Sequence, residues 1–272
     1  MTGSTSPTPN SATNSATDGG LDGGTNSGTD ADRNGGTDDG ATAGSGDSDD
    51  GSVVWLRHNK VDLALHLLRT VDDPATRPLL MLHALGDSSP STVPEWVAGW
   101  PGTIAALDFT GHGRSTVPRS GGYSPEILMA DADHALAHLT GGDPERAITI
   151  LGAGLGAYVA LQLAGARAPQ VHGAILTDGP GLAGGPTGPS SQSFFALPPS
   201  SGSPDPYALV ELGRDLRPAD YAQSFVRLAT QGSGLATPIT VASIFRPKWL
   251  EAVAHEPGVA DTGVAEALLD YA

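Results

Sequence analysis

The sequence contains no cysteine. That excludes disulfides, thiolate metal sites and a cysteine nucleophile, and it is compatible with the cytoplasm. Positive charge is scarce as well: 14 lysines and arginines stand against 30 acidic residues, for a formal net charge of −16. A surface of that sign repels phosphate backbones, which argues against general nucleic-acid binding. No apolar run is long enough to cross a bilayer, and the first residues lack the apolar stretch of a secretory signal. The expectation is a cytoplasmic protein with neither nucleic-acid nor membrane partners.

Large apolar side chains are nearly missing from residues 1–52, where Gly, Ser, Thr, Asn and Asp dominate. Nine aspartates and one arginine give that stretch −8 of the total charge. Such a composition buries too little apolar surface to offset chain entropy, so an acidic disordered tail is expected. The remaining 220 residues, 53–272, suit one α/β domain.

What is present is an alternation of strand-like and helix-like segments. Residues 53–58 and 61–69 read as two strands joined at Asn59-Lys60, a hairpin signal. Continuous apolar runs at 78–83, 103–109, 147–151 and 171–177 read as buried parallel strands. Residues 93–100 suggest a short helix with Trp96 and Trp100 facing inward. A longer helix is expected over 125–139, with Ser124 as N-cap, Pro125 in the first turn and Gly141-Gly142 as the stop. Past Asp178 the chain becomes rich in Gly, Pro and Ser, then helical over 207–216, 219–230, 248–254 and 264–271. The segment ITVASI at 239–244 fits either a strand or a helix start. Alternating strands and helices imply a mostly parallel sheet covered on both faces.

The stretch AITILGAGLGAYVALQLA, 147–164, joins a buried strand to an apolar helix through Gly152-Ala153-Gly154-Leu155-Gly156. Three readings of this turn are open. It has the frame of the nucleophile elbow G-x-S-x-G, with Gly154 at the centre where a serine would attack. It matches a dinucleotide fingerprint through Gly152, Gly154 and Ala157, with Asp178 as the acidic residue about 20 positions on. Or it only lets a helix pack closely on a strand.

The surrounding motifs resemble the α/β-hydrolase superfamily. LLMLHALGDSS followed by a tryptophan is similar to that family's third strand and oxyanion loop. LDFTGHGRS is similar to its loop after strand four, Y-S-P with a following Asp and Leu to its next helix, and ILGAGLGAYVALQLA to its elbow. The resemblance covers about residues 53–182 and implies a helical lid-like region at 183–272. It also implies that the backbone N–H groups of Leu85 and Leu155 form an oxyanion hole, with His83 lining the pocket. A fingerprint turn usually opens its domain, whereas this one sits deep within a sheet already begun.

A serine hydrolase needs a nucleophile, a base and an orienting acid. The nucleophile position holds Gly154, which has no side chain. The only histidine after His172 is His255, at the end of an apparent helix, and Phe245-Arg246 stand where the acid would follow ITVASI. His83 and Asp178 remain as candidates for relocated chemistry. His112 is structural in the family, and the i, i+4 pair His134 and His138 reads as a solvated face rather than a metal site. The expectation is an α/β-hydrolase-like protein with a degenerate triad and incomplete last strands. It would be non-catalytic and without a cofactor, binding a small carbonyl or carboxylate compound, or a protein partner, at His83, Gly154, Leu85 and Leu155. The alternatives are an active esterase-like or nucleophile-independent enzyme and, less favoured, a dinucleotide-binding protein.

Deleting residues 1–52 is expected to leave the thermal unfolding midpoint nearly unchanged, because that stretch has no core-forming side chains. Differential scanning calorimetry of full-length and truncated chains measures this.

Overall fold

The computed structural model describes residues 52–58, 60–119, 121–185 and 202–272. The expected acidic tail, except Ser52, lies outside the described residues, as does much of the Gly/Pro/Ser stretch after Asp178.

The apolar runs become strands β1 (Ser52–His58), β2 (Val61–Arg69), β3 (Leu79–Leu82), β4 (Ile104–Leu107), β5 (Ile148–Ala153), β6 (Val171–Thr177), β7 (Ile239–Ala242) and β8 (Val259–Asp261). They form one sheet in the order β1-β2-β4-β3-β5-β6-β7-β8. β1 and β2 pair antiparallel as a hairpin, β2 meets β4 antiparallel, and β3 to β8 are parallel to their neighbours. The four strands expected to be parallel neighbours occupy the centre. The last strands are not incomplete, as the sequence suggested: β7 and β8 finish an eight-stranded sheet. β8 has three residues, too few for a periodic signal.

Helices α1 (Pro125–Thr140), α2 (Leu155–Ala166), α3 (Pro206–Arg214), α4 (Ala219–Gly232), α5 (Lys248–Ala254) and α6 (Val264–Asp270) complete the fold. Strand alternation divides the core. Leu80 and Leu82 of β3 point to one face and join α1, α2, α4 and α5. Leu79 and Met81 point to the other and join Trp100 and α6. α2 is buried from Leu155 to Gly165, which is why its sequence carries no charge. Ser124 caps α1 by accepting from Ile127 N–H, and Gly141 ends it in the left-handed region at φ 65°. Of the expected helix at 93–100 only a 3-10 turn, Glu95–Val97, forms between Pro94 and Gly99. Trp100 is buried there, but Trp96 is 53% exposed rather than inward.

The C-terminal helical region has two parts. α3 lies against the loops around residues 86 and 122: Glu211 accepts from Gly122 and Tyr123 N–H, and the Asp205 carboxylate accepts from Tyr123 O–H at 2.6 Å. α4 packs on the sheet layer with α2 and α5, while α6 closes the opposite face.

Tyr271, just after α6, anchors that face. Its ring lies on Gly173 of β6, and its hydroxyl bonds Thr240 Oγ1 at 2.9 Å and the Thr237 carbonyl at 2.8 Å. Tyr271→Ala is expected to cost on the order of 3–5 kcal/mol, as for other buried aromatics. Urea denaturation measures it.

Candidate active site at the glycine turn

The turn between β5 and α2 places Gly154 at φ 57°, ψ −114°. A residue with a Cβ is strained there, and glycine is not. The space beside it is also taken: a Cβ on Gly154 would lie well inside contact distance of the Pro180 carbonyl oxygen and of Gly179. The loop 178–182 after β6 folds directly over the turn.

Two backbone donors converge on that carbonyl. Leu85 N–H, from the loop after β3, reaches Pro180 O at 3.1 Å, and Leu155 N–H, at the start of α2, reaches it at 3.0 Å. Gly154 N–H donates to Thr177 O at 3.1 Å. The positive end of α2 thus faces a carbonyl of the same chain. The loop is held from behind by Arg217, whose Nη1 donates to Gly181 O at 2.5 Å and to Leu182 O at 2.7 Å. The Arg217 guanidinium stacks on the Tyr158 ring, and Trp249 Nε1 donates to Leu182 O at 2.8 Å. Gly181 sits at φ 77° with Leu85 Cβ against it, so this position too needs glycine.

His83 is buried at the end of β3. Its Nδ1 donates to Ala84 O at 2.8 Å, since a carbonyl can only accept, and its Nε2 accepts from Phe109 N–H at 3.1 Å. Both nitrogens are occupied in one tautomer. Burial lowers the imidazole to about 4, so it is neutral near pH 7.

Asp178 follows β6 and is bonded to the turn after β7, with no histidine among its hydrogen-bond partners in the described residues. Its carboxylate accepts from Ser243 Oγ at 2.5 Å, Ile244 N–H at 2.8 Å and Phe245 N–H at 3.0 Å. Burial pushes it up, but these hydrogen bonds outweigh burial and hold it below the usual carboxylate range. His255 bonds its own helix through the Glu251 carbonyl at 2.7 Å. His112 is fully buried, with Nδ1 on the Thr110 carbonyl. His134 also bonds within its helix, to Ala130 O, and its ring stacks on His58. No group of three or more metal-ligating side chains occurs among the described residues.

The residues that sequence reasoning passed over are Pro180, Arg217 and the pair His66–Asp108. Asp108, at the end of β4, is 1% exposed. Its carboxylate accepts from His66 Nε2 at 2.9 Å, Ser89 N–H at 2.7 Å and Arg114 N–H at 2.8 Å. Ser115 Oγ donates to the Asp108 carbonyl at 2.6 Å and accepts from Ala64 N–H. This clamp fixes the loops after β3 and β4 to the sheet. The LDFTGHGRS motif was the available signal for it.

Two cavities flank the turn, and His83 and Ala153 line both. One, of about 510 Å³, is bounded by Gly86, Asp87, Ser88, Gly113, Ser203 and Pro204. The other, of about 300 Å³, is bounded chiefly by Met81, Leu82, Pro90, Trp96, Ala106 and Leu151, with Asp178 at its edge.

The architecture has known counterparts. The thioesterase domain from the curacin biosynthetic pathway aligns over 81% of this chain and 98% of its own, at 16% identity and a TM-score of 0.50. Est1E from Butyrivibrio proteoclasticus, solved with ferulic acid, aligns over 80% and 97% at 11% identity and a TM-score of 0.54. The fold is that of the α/β hydrolases. Residues 91–197 also match the Hydrolase_4 family model, described as serine aminopeptidase, S33. No curated protein matches this chain. In the α/β-hydrolase fold the turn after the fifth strand is the elbow, and the oxyanion donors come from the residue after the nucleophile and from the loop after strand three.

The Asp108 clamp has a pH consequence. Burial raises its carboxyl, but hydrogen bonds from His66, Arg114 and Ser89 prevail and hold it at about 2. A folded value below the unfolded one stabilises the protein above about pH 4, and that stabilisation disappears as pH falls toward 2. The stability gap between wild type and Asp108→Asn is therefore expected to narrow by roughly 2 kcal/mol between pH 6 and pH 2. Urea titrations at stepped pH read this directly.

Proposed function

We propose that this chain is a non-hydrolytic protein of the α/β-hydrolase fold that binds a small ligand beside His83 and Ala153. One observation carries the reading: the Pro180 carbonyl accepts from both Leu85 and Leu155 N–H, at 3.1 and 3.0 Å. In a working hydrolase those two amides stabilise charge on the substrate oxygen, a contribution typically worth about 10²–10³ in rate for one donor. Here an internal carbonyl occupies the oxyanion hole, and glycine stands in place of the nucleophile. The carbonyl or carboxylate ligand expected from the sequence would need the same two amides, so it would have to displace Pro180.

Relocated chemistry finds little support at the two candidates. His83 has no free nitrogen, and Asp178 is bonded into the turn at 243–245. A dinucleotide reading meets the same obstacles: Pro180 caps the helix terminus that a pyrophosphate would use, and Asp178 is not free for a ribose. The volume left for a ligand is the two cavities that share His83 and Ala153 in their walls.

The test compares wild type with Gly154→Ser on short-chain aryl esters and by fluorophosphonate labelling. Wild type is expected to give no turnover, and the introduced serine to stay unlabelled. The variant is also expected to lose stability on the order of 2–6 kcal/mol: about 1–3 from backbone strain, and about 0.5–1.5 for each hydrogen bond to Pro180 that the serine displaces. Ester turnover by wild type that disappears in His83→Ala or Asp178→Asn would overturn the reading, as would strong labelling of Gly154→Ser.

A further inference from the structure

The charges around the two cavities are all of one sign. Among their lining residues the formally charged side chains are Asp87 and Asp178, and neither cavity is lined by Lys or Arg. His83, shared by both, is held neutral by burial and has both nitrogens engaged. The two amides that could receive an anionic oxygen are occupied by Pro180. The folded part has the same sign, since residues 53–272 carry −8 of the total −16. Arg246 offsets part of the Asp178 charge from behind, but a carboxylate or phosphate entering here would lose its hydration and find no cation among the lining residues.

Asp87 and Asp178 differ in what they can offer. Asp178 is bonded to Ser243, Ile244 and Phe245. Asp87 is an exposed residue on the rim of the larger cavity, where its backbone N–H bonds Ala84 O. Its carboxylate forms no hydrogen bond or ion pair among the described residues. The smaller cavity is largely apolar, walled by Met81, Leu82, Ala106 and Leu151, with the half-exposed indole of Trp96 on one side. A volume of about 300 Å³ accepts a single aromatic ring with a short chain.

We infer that the site takes an arylalkyl amine. The ring fills the cavity beside Trp96, the chain passes His83 and Ala153, and the ammonium pairs with the Asp87 carboxylate. This rests on the reading of the site as a ligand pocket, but it reverses the charge of the ligand that the sequence alone suggested. An ammonium supplies three donors to a carboxylate that no described protein group engages, and the apolar body replaces water on the Met81 and Leu151 side.

Three near-isosteric probes test it on the full chain by isothermal titration calorimetry: phenethylamine, 2-phenylethanol and 3-phenylpropionate. Phenethylamine is expected to bind saturably and at least about tenfold more tightly than 3-phenylpropionate, the scale of one charge-assisted hydrogen bond. Asp87→Asn is expected to remove most of that preference while leaving phenylethanol unchanged. Trp96→Ala is expected to weaken the amine and the alcohol alike. Both substitutions are at exposed positions, so folding is not at stake. A preference for the carboxylate, an amine preference that survives Asp87→Asn, or no saturable binding of any probe overturns the inference. Ester turnover in the separate hydrolysis assay would instead overturn the non-hydrolytic reading, and would leave the charge preference to be judged on the calorimetry.

Discussion

One carbonyl oxygen ties together three separate parts of the molecule. Pro180 O receives Leu85 N–H from the loop after β3 and Leu155 N–H from the head of α2. Each such bond adds only about 0.5–1.5 kcal/mol net, but leaving a buried N–H unpaired costs about 1–3 kcal/mol. Without substrate or water, two amides pointing at one spot carry that cost, and the 178–182 loop removes it. Much else follows from this arrangement. Residue 154 must lack a side chain, position 181 must be glycine, and Arg217 with Trp249 must hold the loop's outer carbonyls in place.

Four side chains near the site, His83, His66, Asp178 and Asp205, are engaged in the same structural fashion. His83 bridges the Ala84 carbonyl and the Phe109 amide, and His66 supports Asp108. Asp178 holds the turn at 243–245, and Asp205 caps α3 while accepting from Tyr123. Catalytic groups need a free lone pair or proton aimed at a substrate. These side chains engage theirs with loop carbonyls, amides and hydroxyls, which ties the loops around the cleft to the sheet.

Much of the fold was legible in the sequence, because its signals are local. The runs 147–151 and 171–177 have the short apolar character of covered strands, Ser124-Pro125 suits a helix start, and the uncharged stretch after Gly156 fits a helix buried on every side. What failed was either short or non-local. β8 has three residues, and Pro94 with Gly99 reduces an expected helix to one turn. The central feature of the site joins residues 85, 155 and 180, which no window along the chain brings together. The string Asp178-Gly179-Pro180-Gly181 opens the Gly/Pro/Ser-rich stretch, and nothing in it says which amides its carbonyls will meet.

The sheet's two borders differ in a way that bears on how the protein behaves in a crowded solution. β8 presents only three residues, and its Asp261 is paired with Arg246 at 2.5 Å. So brief and charged a border gives a foreign strand little ladder to extend. β1 is seven residues long, and its outer face carries Trp55 with Arg114 above the ring and Arg57 paired to Asp62. Asp62 is the β2 residue opposite Arg57, so that pair ties the hairpin together and leaves the other edge of β1 uncovered among the described residues. Strand addition is therefore opposed by brevity and charge at β8, and the longer β1 is the border with more ladder to offer among the described residues.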